Sequence, residues 1–297
     1  MIKSFINYPG GKYRLLSQIL PLFPLAYDNF VDMFVGSAVV SANIPLDVPI
    51  FAYDSNRKLI DLLKFVQRVP AEYIITNVEK LIKKYNLSDT GTNGYHFYGL
   101  DSASGVSSVN KPGFNLMRQD YNDGVLHHID AEIYLYTLVV FGFNNQIRFN
   151  HQGNFNNPTG KRDFNTKMQT KLINFSDRIK EMNIKFYAED FNAIPETINR
   201  SFYYADPPYL ITTAVYNENG GWNNYNECRL LKKLDLISES GNMFALSNVL
   251  TYKNRTNKTL LDWSQNYNVH HLNMEYSNSN YQTFNSGITD EVLITNY

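Results

Sequence analysis

Phe202-Tyr203-Tyr204-Ala205-Asp206-Pro207-Pro208-Tyr209 is the stretch on which the reading of this chain turns. Its first four residues form an apolar run with strand character, and the run delivers an acid, two prolines and an aromatic into a loop. Two prolines fix φ and remove two backbone donors, so the loop is rigid and its carbonyls are left to accept. Pro208 also pushes Pro207 out of the helical region. A carboxylate, a bare carbonyl and a ring face then converge on one small group. Such a site suits a planar amine, whose N–H bonds go to two acceptors while its ring stacks. An ordinary strand end followed by a proline-rich turn is the competing reading.

Outward from this stretch, strands and helices alternate. Phe30–Phe34 reads as a buried strand with Val35-Gly36-Ser37-Ala38 as its exit turn, and Ala38–Asn43 as the opening of a short helix. Ile50–Tyr53 is the next strand and ends at Asp54. Leu59–Val69 is a helix with Leu59, Leu62, Leu63 and Val66 on one face. Upstream, Tyr13–Leu20 has helical spacing and stops at Pro21. The rhythm returns with Ile184–Ala188, Phe202–Ala205, Met243–Leu246 and Glu291–Thr295. This alternation predicts an α/β fold with a mostly parallel sheet. Residues 71–183 break the rhythm and read as an inserted module. Within it, Asn86–Lys111 is polar and reads as loop, and Ala131–Phe141 is a strongly apolar helix.

The 297 residues suffice for one large core and a smaller appended module. A formal net charge of −1 excludes a global polybasic surface, so any nucleic-acid contact must be local. The single Cys228 excludes an intramolecular disulfide and a multi-cysteine metal site, and it fits a reducing cytoplasm. No run of about 18 apolar residues occurs, so no membrane span is expected. Pro9-Gly10-Gly11-Lys12 interrupts any apolar leader. Adjacent residues point apart, so His127-His128 and His270-His271 do not make a metal site, and no metal is expected.

Three acids close predicted strands: Asp32 within the first, Asp54 after the second and Asp190 after Ile184–Ala188. In a parallel sheet these ends share the rim where ligands bind, and an acid such as Asp54 can accept both hydroxyls of a ribose. The phosphate-binding pattern Gly-x-Gly-x-x-Gly is absent, so a dinucleotide is not expected. The three acids and the small-residue turn favour an adenosine-bearing cofactor over solvated strand-end acids.

The ordered set Pro9-Gly10-Gly11-Lys12, Asp32-Met33-Phe34-Val35-Gly36, Asp54 and Asp206-Pro207-Pro208-Tyr209 resembles the Dam-like, alpha-class (D12-type) DNA adenine N6-methyltransferases, over nearly the whole chain. Phe143–Asn150 and Gly153–Gly160 look like that family's DNA-recognition hairpin. Phe114–Arg118 with Tyr121-Asn122, Leu246-Ser247-Asn248 and Glu291–Asn296 match in kind. The resemblance implies a Rossmann-like S-adenosylmethionine-dependent methyltransferase sheet from residues 1–68 and 184–297. Residues 69–183 would be an inserted, mainly helical target-recognition domain carrying a β-hairpin. It implies S-adenosylmethionine as cofactor, leaving as S-adenosylhomocysteine. Tyr8, Gly10, Gly11, Lys12, Asp32, Phe34, Gly36 and Ser37 would line its methionine half, Asp54 would hold its ribose, and Asp190 and Phe191 would contact its adenine. Asp206, Pro207, Pro208 and Tyr209 would be catalytic, with Asp206 and the Pro207 carbonyl on the target amine and Tyr209 stacked on the flipped base.

Double-stranded DNA is the expected partner, met through Phe143, Asn144, Gln146, Arg148, Asn150, Pro158, Lys161 and Arg162. Between Phe143 and Lys185 there are eight basic residues against three acidic ones, a local excess suited to phosphates. Arg148 is the candidate for reading a guanine edge, and Phe143 is a candidate wedge or a core residue. Gly220-Gly221-Trp222 reads as a loop able to close over the base or as a turn with a packed Trp. Asn7 stands where GATC-specific relatives carry lysine, and Asn145 and Gln146 replace a usual glycine and a usual apolar residue, which argues against GATC as the site. A monomer is expected, in a bacterial, plasmid or phage setting, and a paired restriction endonuclease stays open. The competing functions are cytosine N4-methylation, methylation of RNA or a protein amide, and a non-catalytic DNA-binding protein on a decayed methyltransferase fold. Asp206 argues against the first, because cytosine-directed relatives more often carry serine there.

Overall fold

The computed structural model describes residues 1–212, 221–273 and 289–297. In chain order its strands are β1 (Asn29–Asp32), β2 (Ile50–Tyr53), β3 (Ile184–Tyr187), β4 (Ser201–Ala205), β5 (Met243–Tyr252), β6 (Arg255–Thr256), β7 (Asn268–Leu272) and β8 (Thr289–Thr295). Its α-helices are α1 (Leu16–Ile19), α2 (Arg57–Arg68), α3 (Ala71–Lys84), α4 (Thr90–Asn93), α5 (Ser107–Asn122), α6 (Ala131–Phe141), α7 (Thr166–Glu181), α8 (Asn224–Glu239) and α9 (Lys258–Ser264). The chain folds into two compact units. One comprises Met1, Lys12–Arg57 and Met182–Tyr297, the other Ile2–Gly11 and Lys58–Glu181.

The first unit is built on one sheet in the order β3-β2-β1-β4-β5-β8-β7, with β6 beside β5. The pairs from β3 to β5 are parallel, and β8 and β7 join antiparallel. Strand β4 is buried along its whole length because both faces of the sheet are covered. On one face Phe202 meets Phe23 at 4.7 Å and Phe30 at 5.5 Å between ring centroids, with Tyr204 beside them. On the other, Val31, Tyr203 and Phe244 pack with Leu230, Leu234 and Ile237 of α8 and Leu260 of α9. Each such side chain stabilises the fold by about 1.5–3 kcal/mol on burial. Helix α8 begins where the Asn223 side chain accepts the Asn226 amide.

Strand order reverses between β1 and β4, one side running to β2 and β3 and the other to β5. This is the switch point at which open α/β sheets bind ligands. The register pairs Asp32 with Tyr204 on one side and Ala52 on the other. Asp54 and Asp206, each two residues further on, therefore emerge on the same rim. The turn after β1 holds a difference from expectation. Ala38–Asn43 does not open an α-helix; only Ser41–Asn43 forms a 3-10 turn. Gly36 and Ala38 sit at φ +49° and +56°, which a helix cannot contain.

The second unit has α2, α3, α5, α6 and α7 as its main elements. All residues of α6 from Ile133 to Phe141 are buried, which accounts for its apolar character on every face. Phe5 packs on Tyr136 at 5.5 Å and on Phe175 of α7 at 5.0 Å. This unit begins at Lys58, so α2 belongs to it nearly whole, and it also takes in Ile2–Gly11. The polar stretch expected as loop is partly helical: α4 lies within it and α5 starts at Ser107. Its polar side chains find internal partners. Asn110 accepts the Ser88 amide at 2.6 Å, and buried Asp163 accepts the Ser88 hydroxyl at 3.0 Å and the Thr90 amide at 2.7 Å. The backbones of the expected hairpin arms pair at two isolated antiparallel bridges, Gly142 with Thr159 and Phe149 with Phe155, and not as strands. Among the described residues no helix is long and apolar enough to cross a membrane.

Candidate active site

At the end of β4, Asp206 is joined to two side chains, Lys12 and Tyr209, both of which also reach Glu291. The Lys12 ammonium lies 2.8 Å from Asp206 Oδ1 and 3.7 Å from a carboxylate oxygen of Glu291. The Tyr209 hydroxyl lies 3.2 Å from Asp206 Oδ1 and 3.0 Å from Glu291 Oε1. Lys12 Nζ also stands 4.9 Å from the centre of the Tyr209 ring, a cation–π distance. Lys12 is only 3% exposed, so it is a desolvated cation that requires its carboxylates. Burial raises the Asp206 carboxyl above its ordinary range, and the charge and hydrogen bond of Lys12 oppose that rise. Glu291 is raised by burial as well, with Lys12 lowering it and Asp206 raising it. Pro207 is buried next to Asp206, which keeps the loop in one shape.

Asp32, 1% exposed, ends β1 with one oxygen bonded to the Ser41 hydroxyl at 2.6 Å. Among the described residues its other oxygen, Oδ1, has no hydrogen-bond partner. Burial pushes the group up to about 7, the Ser41 hydrogen bond acts against this, and Asp206 adds repulsion. A buried carboxylate oxygen is costly unless a donor meets it. Next to it, the Gly36 amide donates to Asp54 Oδ2 at 3.1 Å and the Asn56 amide to Oδ1 at 2.8 Å. Burial raises Asp54, and these two amides lower it. Ser37 is buried in the same turn.

Phe34 and Phe191 lie 5.4 Å apart, and Trp222 joins them at 5.7 and 5.8 Å. The Trp222 indole N–H donates to buried Glu227 at 2.7 Å. Trp222 is thus a packed residue of this aromatic cluster; Gly220, the start of the loop considered as a cover, lies outside the described residues. Asp190 is exposed and accepts the Asn192 amide at 3.0 Å.

The second unit holds the remaining predicted residues. Tyr8 accepts the Gly11 amide at 3.0 Å in a turn where Gly10 takes φ +74°. The segment from Gly142 to Gly160 is pinned at its base by Phe143 N–H to Pro158 O and Gly160 N–H to Phe141 O, both 2.7 Å. A Cβ on Gly160 would come within 2.3 Å of the Gly142 carbonyl, so the crossing needs glycine. Asn144 and Asn145 both sit at φ +52°, a left-handed conformation that asparagine tolerates where a glycine would be usual. The Asn145 amide also donates to the Val139 and Val140 carbonyls at the end of α6. Asn150 accepts the Gln152 and Asn154 amides and so shapes the tip turn. Phe143 is 48% exposed, and Asn144, Arg148, Pro158 and Lys161 are exposed too; Gln146 is half-buried. Arg162, also exposed, donates to the Tyr95 hydroxyl and the Ser102 carbonyl. Asp163, one of three acids in the basic segment, is buried and satisfied, so the exposed surface is more basic than composition alone indicates.

Residues 8–278 match the D12 class N6 adenine-specific DNA methyltransferase family. The chain belongs to that family. It is 38% identical over its whole length to the type II methyltransferase M.FokI of Planomicrobium okeanokoites and 37% identical to the modification methylase StsI of Streptococcus sanguinis. It spans 43% of the length of each. To the DNA adenine methylase of Escherichia coli (strain K12) it is 27% identical, over 72% of this chain and 68% of that protein.

Within this D12 member the first unit brings together Lys12, Asp32, Phe34, Gly36, Ser37, Asp54, Phe191 and the Asp206–Tyr209 loop, with Asp190 on the same rim but exposed. Tyr8, Gly10 and Gly11 fall in the other unit. Sequence reading missed Glu291, Ser41 and the Glu227 beneath Trp222. Glu291 had a signal, an ionisable residue opening the apolar run Val292-Leu293-Ile294.

Proposed function

We propose that this chain is a site-specific DNA adenine N6-methyltransferase that transfers a methyl group from S-adenosylmethionine to the exocyclic amine of an adenine flipped out of duplex DNA. The observation that carries this reading is the cluster of buried Lys12 with half-buried Asp206 and Tyr209 at the carboxyl end of β4, beside Asp32, whose Oδ1 has no hydrogen-bond partner among the described residues. These residues fit the cofactor. Asp32 Oδ1 offers an acceptor for its ammonium, Lys12 a cation for its carboxylate, Asp54 acceptors for its ribose, and Phe34 and Phe191 ring faces for its adenine, with Tyr8, Gly10 and Gly11 assigned to its methionine half by the family pattern. When bound, S-adenosylmethionine supplies a methyl group already activated by a positive sulfur.

An adenine amine is a poor nucleophile, because its lone pair is drawn into the ring. Asp206 and the Pro207 carbonyl would accept its two N–H bonds and turn the lone pair out of the ring plane. The fixed Asp206 carboxylate then stabilises the positive charge that grows on nitrogen. Pro207 and Pro208 hold both acceptors in one geometry, which supplies positioning. Tyr209 offers a ring to the extruded base, and stacking worth about 1–3 kcal/mol offsets part of the unstacking cost. Phe143, Asn144, Gln146, Arg148, Pro158, Lys161 and Arg162 would meet the duplex. Asn150 would act on it through the shape of the tip. We further propose a monomer in a bacterial cytoplasm and a restriction endonuclease acting on the same site, a pairing that the relatives' names, type II methyltransferase and modification methylase, favour.

The test is methylation mapping. The chain is expressed in a methylase-free host and the genomic DNA is read with modification-sensitive single-molecule sequencing, beside Asp206→Ala. N6-methyladenine at one short motif, absent with the variant, is the expected result. An unmodified genome with folded protein present overturns the reading in favour of a DNA-binding protein without catalysis. Modified cytosine would identify the N4 reaction instead.

A further inference from the structure

Two carboxylates, Asp206 and Glu291, share one buried ammonium, Lys12, and one phenol, Tyr209. Glu291 comes from the last strand, opposite Val249 of β5, and is 4% exposed. A surface carboxylate would be solvated; one buried against another carboxylate is costly unless its partners are worth more than the repulsion. The phenol carries a single proton, yet two acceptors stand within reach. Among the described residues, the Lys12 and Tyr209 contacts to Asp206 both fall on Oδ1, and Lys12 is the shorter at 2.8 Å. The Tyr209 hydroxyl is shared by the two carboxylates, with Glu291 the nearer acceptor at 3.0 Å and Asp206 at 3.2 Å.

We infer that Glu291 is a positioning residue of the methyl-transfer site: it takes the Tyr209 proton and a share of Lys12, fixing the tyrosine ring and leaving the Asp206 carboxylate the stronger acceptor for the target amine. Removing Glu291 lets the phenol proton turn to Asp206, which then accepts the amine less well, and frees the ring to rotate about its side-chain bonds. The inference rests on the proposed transfer to an amine held at Asp206. Among the described residues, the charged and titratable groups facing this pair are Lys12 from the N-terminal turn, Tyr209 from the β4 loop, Tyr204 from β4 and Asp32 from β1.

The test uses the purified chain, labelled S-adenosylmethionine and duplex DNA carrying a methylated motif found by mapping. Wild type is compared with Glu291→Gln, Tyr209→Phe, the double variant and Glu291→Asp, all checked for an unchanged melting profile. Glu291→Gln is expected to lower kcat by ~10–100-fold, the scale of a misplaced reacting group, with Kd for duplex DNA within about 3-fold of wild type. Burial and the Asp206 charge raise the Glu291 carboxyl, so its protonation contributes to the acid limb of the kcat profile; Glu291→Gln removes that titration and the limb moves to lower pH. The double variant should be no slower than the slower single variant, because Glu291 acts through the Tyr209 hydroxyl. Glu291→Asp, which keeps the carboxylate, should recover part of the rate; Glu291→Ala takes the place of Glu291→Gln in the pH and rate measurements should that variant fail to fold. A Glu291→Gln enzyme with wild-type kcat and an unmoved acid limb overturns the inference, as do losses in the double variant that multiply. A wild-type protein that methylates nothing overturns the functional reading itself and the inference with it.

Discussion

The strand-end cluster of the first unit and the Gly142–Gly160 segment of the second solve positioning in opposite ways. At the strand ends the side chains themselves are locked: Lys12, Asp206, Tyr209 and Glu291 hold one another, and Asp54 is held by two backbone amides. In the segment the backbone is locked, by hydrogen bonds at its base and by Asn150 at its tip, while the Phe143 and Arg148 residues are exposed. A group that must stabilise a developing charge gains from being dry and immobile. A group that must read a duplex gains from a fixed origin and a mobile end. The comparison implies that substitutions at the strand ends will change rate and pH response, and that substitutions in the segment will change DNA binding with little effect on folding.

The largest effect is expected at Asp206. Asp206→Asn keeps the shape and removes the charge, and should lower kcat by ~10²–10³-fold or more, the scale for losing one preorganised stabiliser of transition-state charge. Binding of S-adenosylmethionine, followed by calorimetry, should survive. A variant that keeps more than a tenth of wild-type kcat would show that the carboxylate is not where charge is stabilised, and the contrast between the regions would lose its first term.

Asp32 tests the same region through stability. Its carboxyl is raised from 3.8 to about 7 by burial. Below pH 4 both folded and unfolded chains hold the proton; between about 4 and 7 only the folded chain does, so unfolding releases it and stability falls as pH rises. At ~1.36 kcal/mol per unit this costs on the order of 2–4 kcal/mol at neutral pH. Asp32→Asn should therefore raise Tm at pH 8, flatten its decline between pH 4 and 7, and weaken cofactor binding. Thermal melts across pH decide it: an equal decline in both proteins would mean that Asp32 is charged in the folded chain throughout.

The two regions also differ in how far they could be read from residues alone. Strand ends are announced locally: an apolar run followed by Asp206-Pro207-Pro208-Tyr209, or by Asp54, places its acid on the rim whatever else the chain does. Glu291 escaped because its role arises only when β8 inserts antiparallel beside β5, a pairing without local signature. The turn after β1 was misread as helix because small residues suit a helix start, whereas the positive φ of Gly36 and Ala38 serves the amide donated to Asp54. Asn86–Lys111 reads as loop by composition, yet its Ser88 and Asn110 are tethers to one another and, through Ser88, to Asp163. Polar residues with buried partners look the same in sequence as polar residues in water. The hairpin followed from resemblance, and resemblance does not reveal that its backbone pairs at isolated bridges and not as strands.

Within the recognition segment, Arg148→Ala should weaken binding to the methylated motif by about 1–3 kcal/mol and relax preference at one base position. Arg148 is exposed and its carbonyl, which accepts the Asn156 amide at 3.0 Å, is unaffected by the change. Competition binding against single-base variants of the motif reads this directly. A uniform loss across all sequences would assign Arg148 to the phosphate backbone instead of a base edge.

The smallest change in stability, and so the sharpest form of the comparison, is expected at Phe143. With 48% of its surface exposed, a phenylalanine in the core would be the wrong description, and truncation leaves no buried cavity. Phe143→Ala should shift unfolding free energy by no more than about 0.5 kcal/mol. The base of the segment should persist, because it is the Phe143 amide that bonds Pro158 and its carbonyl that accepts from Asn157 at 2.9 Å; neither involves the ring. Fluorescence of 2-aminopurine at the target position should nevertheless fall, since a ring that fills the space of the flipped base favours extrusion. Were Phe143→Ala to cost about 3 kcal/mol of stability with extrusion unchanged, the ring would be a packing element, and backbone locking would not be what keeps this segment in shape.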